Sequence, residues 1–192
     1  MSRTENSEQK MSLDQIFMHQ KFNSTYYVND IALLKLNRPL NFTKFVRTVC
    51  LQEKDERDLA VPETYGIATG WGVTKAKRFG EKASRKDLQN VLHHSFLKIQ
   101  NEQLCTETSK PFLINSTVTF CAGDAQKGSG TCSGDGGGAL VRDAKRGVDK
   151  QWVWVATGVI SWGKGCAQKD DPGYYTKVYP FLDWIKTTID NN

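Results

Sequence analysis

Residues Gly130 to Leu140 read GTCSGDGGGAL, a run in which five glycines surround one cysteine and one aspartate. Glycine adopts backbone conformations that other residues avoid, so a run this rich in glycine predicts a tight loop. The apolar residues that follow, in GALVRD, predict that the loop leads directly into a short strand.

Short apolar runs separated by turn residues continue on both sides of this loop. The chain has 192 residues, with 16 glycines and 5 tryptophans, a composition that favours many short strands over long helices. The predicted strands are QIFM, IALLKL, TYGIATGWGV, LQNVLHHSFLKIQ, FCAG, GALVRD, QWVWVATGVISWG and GYYTKV. We therefore predict an all-β fold.

The tail, YPFLDWIKTTIDNN, is the exception and predicts a helix over about 180–190. Pro180 suits a first helical turn, and Phe181, Trp184, Ile185 and Ile189 share one face. At the other end, residues 1–14 are charged and lack periodicity, so they are predicted to be a loose lead-in to a domain over 15–192.

The cysteines and glycosylation sequons indicate an extracellular protein. The five cysteines fit neither a zinc pattern nor Cys-x-x-Cys redox spacing, so two disulfides and one remaining cysteine are the simplest arrangement. Asn-x-Thr sequons begin at Asn23, Asn41 and Asn115. We expect a secreted glycoprotein that uses no cofactor and no metal.

The N-terminal sequence contains no apolar signal core, and no stretch is apolar for long enough to span a bilayer. We therefore expect that the natural protein begins upstream of Met1 and has no membrane partner.

Six motifs resemble those of a known protein family. NDIALLKL, ATGWG, FCAG, CSGDGGGAL, VISWGKGC and PGYYTKVYPFLDWI occur in the order and at the spacings of the chymotrypsin/trypsin family of serine proteases. The chain resembles this family from about Gln15 to its C-terminal helix, and most of all the complement-type and clotting-type proteases and their haptoglobin-like relatives.

The resemblance implies two antiparallel β-barrels packed side by side, with the active site between them. The second barrel is expected over about 65–180. The first is expected to be incomplete, because its opening strands correspond to sequence upstream of residue 1. The resemblance also implies two disulfides and a tether to an upstream chain: Cys105 with Cys121, Cys132 with Cys166, and Cys50 as the interchain cysteine.

Acyl transfer in this family needs a hydroxyl nucleophile, an imidazole base and a carboxylate that orients the imidazole. Asp30 matches the carboxylate, but Gly136 stands where active members carry serine. The matching histidine would lie upstream of residue 1. His19 is too close to Asp30 in sequence to replace it. His93 and His94 are adjacent on a predicted strand and should point to opposite faces.

The resemblance assigns binding roles to the residues around Gly136. The N–H groups of Gly134 and Gly136 match the oxyanion donors. Asp135 matches the aspartate that pairs with a new N-terminus after activation, and without that partner it is expected to turn outward. The base and walls of the specificity pocket match Gly130, Gly163 and Gly173. The segment matching the peptide-pairing edge is Ser161, Trp162 and Gly163, although Trp162 is equally compatible with simple packing.

Three functions follow from these residues. The preferred one is a catalytically inactive protease homologue that binds a protein or peptide and acts in secreted proteolytic, innate-immune or clotting-type pathways. The second is a secreted serine endopeptidase whose nucleophile has been replaced at Gly136 by error or engineering. The third is a polyanion-binding module that uses the basic residues between Lys75 and Lys86. A nucleic-acid partner is not expected, because aromatic residues do not alternate with these charges.

Overall fold

A computed structural model describes residues 7–54, 57–74, 84–123, 129–166 and 171–192. These ranges contain eight strands, and a helix near the C-terminus follows them, as predicted. The strands are β1 (Leu13–Met18), β2 (Ala32–Leu36), β3 (Tyr65–Gly70), β4 (His93–Lys98), β5 (Thr119–Ala122), β6 (Ala139–Arg146), β7 (Gln151–Trp162) and β8 (Gly173–Lys177). The helices are α1 (Glu102–Ser109) and α2 (Leu182–Asp190), with short 3-10 turns at Arg85–Asp87 and Tyr179–Phe181.

Six strands form one antiparallel sheet in the order β4, β3, β6, β7, β8, β5. An isolated bridge between Ile99 and Ala122 links the ends of the two outermost strands, so the sheet curls back on itself. Its interior is filled by side chains such as Leu97, Leu140 and Tyr175, each of them fully buried. This curled sheet occupies the region expected to form the second barrel.

The N-terminal half of the described chain contributes a separate two-stranded sheet, β1 paired antiparallel with β2. Ile16 lies directly opposite Leu34, and the two side chains are 59% and 56% exposed. One apolar face of this hairpin is therefore open. β1 begins at Leu13, two residues inside the segment predicted to be a loose lead-in.

An apolar cluster joins this hairpin to the curled sheet. Leu33 packs against Ile31, Val178, Phe181 and Ile185, with Ala156 of β7 in the same cluster. The C-terminal helix packs on this cluster through Phe181, Trp184 and Ile185, which the sequence placed on one face with Ile189. Ile189 is 62% exposed, because it lies beyond the turns that pack on the cluster.

The sequence did not predict helix α1. Asn101 caps it, since its Oδ1 accepts a hydrogen bond of 2.8 Å from the backbone N–H of Leu104. The helix has only eight residues, and its side chains are mostly polar, so no apolar period marks it. Its buried Cys105 forms a disulfide with Cys121 of β5, which holds the helix against the sheet.

The second disulfide joins Cys132 to Cys166, so both pairings implied by the resemblance are confirmed. Cys50 is a half-buried free thiol. Within the described ranges, none of the helices has the length and apolar character needed to cross a membrane.

His19 follows β1 and packs against the C-terminal segment. Its ring meets the rings of Phe181 and Trp184 edge-on, at centroid distances of 5.0 and 5.1 Å. Burial, and then the positive charge of Lys21, lower the pKa of His19 below its ordinary value of 6.5. The folded protein therefore favours the neutral ring at a contact between its two halves.

We expect the free energy of unfolding to fall as the pH is lowered from about 7.5 to about 5.5, because the unfolded chain binds a proton at His19 before the folded chain does. The loss of stability begins near pH 6.5, the ordinary pKa of histidine, and continues down to the lower pKa that His19 has in the folded state. Urea denaturation at several pH values measures it. His19→Gln should flatten the dependence over this interval, and equal slopes for both proteins would contradict the assignment.

Candidate functional site

The carboxylate of Asp135 anchors the glycine-rich loop to the curled sheet. Its Oδ1 accepts a hydrogen bond of 2.8 Å from the backbone N–H of Gly72, which follows β3. Its Oδ2 accepts one of 3.0 Å from the N–H of Cys132, within the loop. The expectation that Asp135 turns outward is therefore wrong. Two backbone donors supply the partners that the carboxylate was expected to lack.

The glycines around Asp135 are required by this close approach. A Cβ atom on Gly72 would lie 2.6 Å from the Asp135 carboxylate, and one on Gly70 would overlap it. Gly134 has a φ of +101°, and a Cβ atom there would lie 2.5 Å from Cδ2 of Leu88. The loop therefore depends on glycine at these three positions.

Gly136 differs from its neighbours because the space around it is open. A Cβ atom built on Gly136 would have no atom within 4 Å among the described residues. Gly134 and Gly136 are exposed, and their N–H groups donate no hydrogen bond within the described part of the chain. The loop thus presents two free backbone donors beside a position that carries no side chain.

Asp30 lies immediately before Ile31 and β2 and contacts the end of β7. The hydroxyl of Ser161 donates a hydrogen bond of 2.5 Å to its Oδ2, and Thr176 donates one of 2.8 Å to its carbonyl oxygen. The sequence assigned Asp30 and Ser161 to separate roles, and the structure brings them together. Their separation of 131 residues left no local signal of this contact.

Within the described residues, none of the three histidines forms a hydrogen bond with the Asp30 carboxylate, although the backbone N–H of His19 donates to the carbonyl oxygen of the neighbouring Ile31. His19 packs on the C-terminal segment, and His93 and His94 are exposed residues of β4. Both residues of that pair border a cavity of about 200 Å³ that also reaches Gly130 and Asp135. Among the residues that the structure describes, no group of three or more histidine, cysteine or acidic side chains is placed to hold a metal ion.

Gly163 and Gly173, the predicted pocket walls, lie close together. A Cβ atom on Gly163 would be 3.9 Å from Cα of Gly173, and one on Gly173 would be 3.1 Å from the hydroxyl oxygens of Thr131 and Tyr175. These two hydroxyls hydrogen-bond to each other at 2.9 Å, beside half-buried Gly130. Burial raises the pKa of Tyr175 well above its usual value, so the phenol stays neutral. Sequence reasoning missed this hydroxyl pair.

Trp162 belongs to an aromatic cluster. Its ring stacks on Tyr174 at 3.9 Å, with Phe112 at 5.3 Å and Tyr27 at 6.1 Å between ring centroids. Trp162 remains half-buried, and Phe112 and Tyr27 are 36% and 39% exposed. The sequence did not predict that Tyr27 and Phe112 join Trp162, because they come from distant segments.

The basic stretch from Lys75 to Lys86 falls largely outside the described residues, because 75–83 lie there. Its last two basic residues, Arg85 and Lys86, belong to the 3-10 turn Arg85–Asp87. A polyanion site in this stretch stays a prediction.

Comparison with known proteins identifies related chains. The family model described as Trypsin matches residues 1–185. The chain is 33% identical over 191 residues to mannan-binding lectin serine protease 1 of Rattus norvegicus, covering 96% of this chain and 24% of that protein. It is 31% identical over 186 residues to coagulation factor IX of Cavia porcellus, covering 96% of this chain and 60% of that protein. The chain thus spans only part of the length of these relatives.

Replacing Asp135 with alanine should lower the free energy of unfolding by about 1–3 kcal/mol, because the N–H groups of Gly72 and Cys132 lose their acceptor. Urea denaturation measures this change, and faster hydrogen exchange at the Gly72 amide would locate it. Asp135→Asn keeps an acceptor oxygen and should cost less. Equal stability of the alanine variant and the unaltered protein would show that the anchor is unimportant.

Proposed function

The chain belongs to the trypsin family, and on that premise we propose that it is a secreted, non-catalytic member that binds an extended polypeptide beside the glycine-rich loop. The observation that carries this proposal is Gly136, which stands at the nucleophile position and has no side chain. The groups around Gly136 that would bind a polypeptide are present, and they are not the groups that catalysis requires.

Catalysis fails at Gly136 for a chemical reason. Acyl transfer of this type needs a hydroxyl that attacks the carbonyl carbon and an imidazole that accepts the hydroxyl proton. Removing the nucleophile alone lowers turnover by roughly 10⁶-fold. In this chain, none of the histidines His19, His93 and His94 forms a hydrogen bond with Asp30 among the described residues. The Oδ2 atom of Asp30 accepts a hydrogen bond from the Ser161 hydroxyl.

Binding needs only groups that the chain keeps. The free N–H groups of Gly134 and Gly136 suit a carbonyl or carboxylate oxygen. The end of β7, at Ser161 and Trp162, suits an extended peptide that pairs along its backbone, and the Trp162 cluster offers an apolar surface for its side chains. The hydroxyls of Thr131 and Tyr175 lie beside Gly130 and Gly173, and they suit an uncharged side chain.

The open space at Gly136 supports a second candidate, a secreted endopeptidase whose natural sequence has serine at this position. The Cβ atom of a serine would have no described atom within 4 Å there. The Asp30 carboxylate is also present and accepts the Ser161 hydroxyl. This candidate requires a histidine supplied from outside the present sequence, and resequencing the transcript through codon 136 and upstream of Met1 decides between the two.

We expect a fluorophosphonate probe to leave the protein unlabelled, since labelling requires an activated hydroxyl. Gly136→Ser in the present chain should fold normally, because the position is open, and should also remain unlabelled, because none of the three histidines reaches it. Mass spectrometry after labelling gives the readout, with an active trypsin-like protease as positive control. Covalent labelling of the unaltered protein would overturn the proposed function.

Trp162→Ala should weaken binding of the fluorescein-labelled peptide Phe-Ala-Ala-Leu-Ala by about tenfold or more, because aromatic anchors carry much of the energy of such contacts. Fluorescence anisotropy measures the dissociation constant. Trp152→Ala is the matched control, since Trp152 is 64% exposed on the opposite end of β7. An equal effect of the two substitutions, or no binding to any variant, would contradict a peptide groove at Trp162.

A further inference from the structure

Two of the three glycosylation sequons lie beside the aromatic cluster at Trp162. Asn23 and Val28 form a bridge that closes a turn, and this turn carries Tyr27, one of the rings around Trp162. Asn115 lies three residues after Phe112, which contacts Trp162 from another segment. The ring of Trp162 is thus contacted by two segments, each of which carries a sequon.

The side chain of Asn115 is held in one orientation by its own sequon. Its Oδ1 accepts hydrogen bonds from the hydroxyl of Thr117 at 2.7 Å and from the backbone N–H of Thr117 at 3.1 Å. Asn115 is exposed, and its amide Nδ2 has no hydrogen-bond partner within the described ranges. The nitrogen that would carry a sugar is therefore free.

Asn23 has a similar arrangement. Its Oδ1 accepts the backbone N–H groups of Thr25 and Tyr26, at 2.9 and 3.2 Å. The residue is exposed, and its Nδ2 likewise makes no hydrogen bond to the residues that the structure describes. The turn that orients this amide is the same turn that places Tyr27.

The third sequon, at Asn41, is built differently and provides a comparison. The hydroxyl of Thr43 accepts the N–H groups of Phe45 and Val46 and so serves a local turn. The backbone of Asn41 exchanges two hydrogen bonds with Gln9, a residue that precedes β1. Asn41 therefore belongs to a part of the surface that the aromatic cluster does not include.

We propose that N-linked oligosaccharides on Asn23 and Asn115 flank the Trp162 groove and restrict it to extended peptide segments, excluding folded proteins. This inference rests on the proposed peptide-binding function and adds a restriction on which partners reach the peptide site.

When the sugar is transferred to each asparagine, Nδ2 forms a bond to the anomeric carbon of a lipid-diphosphate-linked oligosaccharide. The bond from that carbon to the diphosphate breaks, one amide proton is released, and no electrons are exchanged. Glycans are bulky and hydrated, so two of them limit how closely a large partner approaches.

Occupancy is tested first, on the full chain secreted from cultured animal cells. Mass spectrometry of glycopeptides should find oligosaccharide on both Asn23 and Asn115. Thr25→Ala and Thr117→Ala remove the sequons while keeping each asparagine. Thr25→Ser and Thr117→Ser retain the sequon and its hydroxyl, and are the matched controls. Absence of glycan from either asparagine would overturn the proposal, whatever the result at Asn41.

Access is tested with two probes, the peptide Phe-Ala-Ala-Leu-Ala alone and the same peptide fused to the end of a folded carrier protein. The double variant Thr25→Ala with Thr117→Ala should bind the fused probe about tenfold more tightly than the double serine variant. Both should bind the free peptide equally. Asn41→Gln, which removes the third sequon, should change neither affinity.

The outcomes separate the inference from the function on which it rests. If the free peptide binds but glycan removal leaves the fused probe unchanged, restriction by glycans is wrong and the groove stands. If neither probe binds any variant, the proposed peptide groove is contradicted, and so is the proposed restriction by glycans. Occupancy at Asn23 and Asn115 is decided independently by mass spectrometry.

Discussion

The carboxylate of Asp135 is the contact on which the shape of the site depends. It accepts one N–H from the end of β3 and one from its own loop, so it joins the glycine-rich loop to the curled sheet. An unpaired carboxylate at a half-buried position carries a large desolvation penalty, and these two donors offset it. The same approach excludes side chains at Gly70 and Gly72. Backbone groups thus maintain the loop, and no catalytic group takes part.

This arrangement separates the anchor of the loop from position 136. A side chain at position 136 would have no packing role, because a Cβ atom built on Gly136 has no described atom within 4 Å. The position also lies outside the Asp135 anchor, so glycine there leaves both hydrogen bonds of the carboxylate intact. Glycine at position 136 is therefore compatible with the anchored loop, the pocket glycines and the Trp162 cluster.

The sequence predicted the elements whose signals are local or carried by family motifs. Strands rich in β-branched and aromatic residues, the helix after Pro180, and the two disulfides implied by the resemblance are all present. The features it missed depend on contacts between distant segments. The Asp30 to Ser161 hydrogen bond and the rings around Trp162 are of this kind. The orientation of Asp135 was mispredicted because only a charged partner was considered, and backbone donors leave no mark in the sequence.

The site includes residues from both halves of the described chain, and this limits how much of the first barrel it needs. Asp30 and Tyr27 come from the N-terminal half, whereas the loop, Ser161 and Trp162 come from the curled sheet. Alternation along β2 directs Leu33 toward the cluster that joins the halves, and its neighbour Leu34 toward the open face. Because these two faces are opposite, the hairpin can dock through Leu33 and position Asp30 whether or not further strands cover Leu34. The site therefore requires the contact between the two halves, and it does not depend on closure of the first barrel.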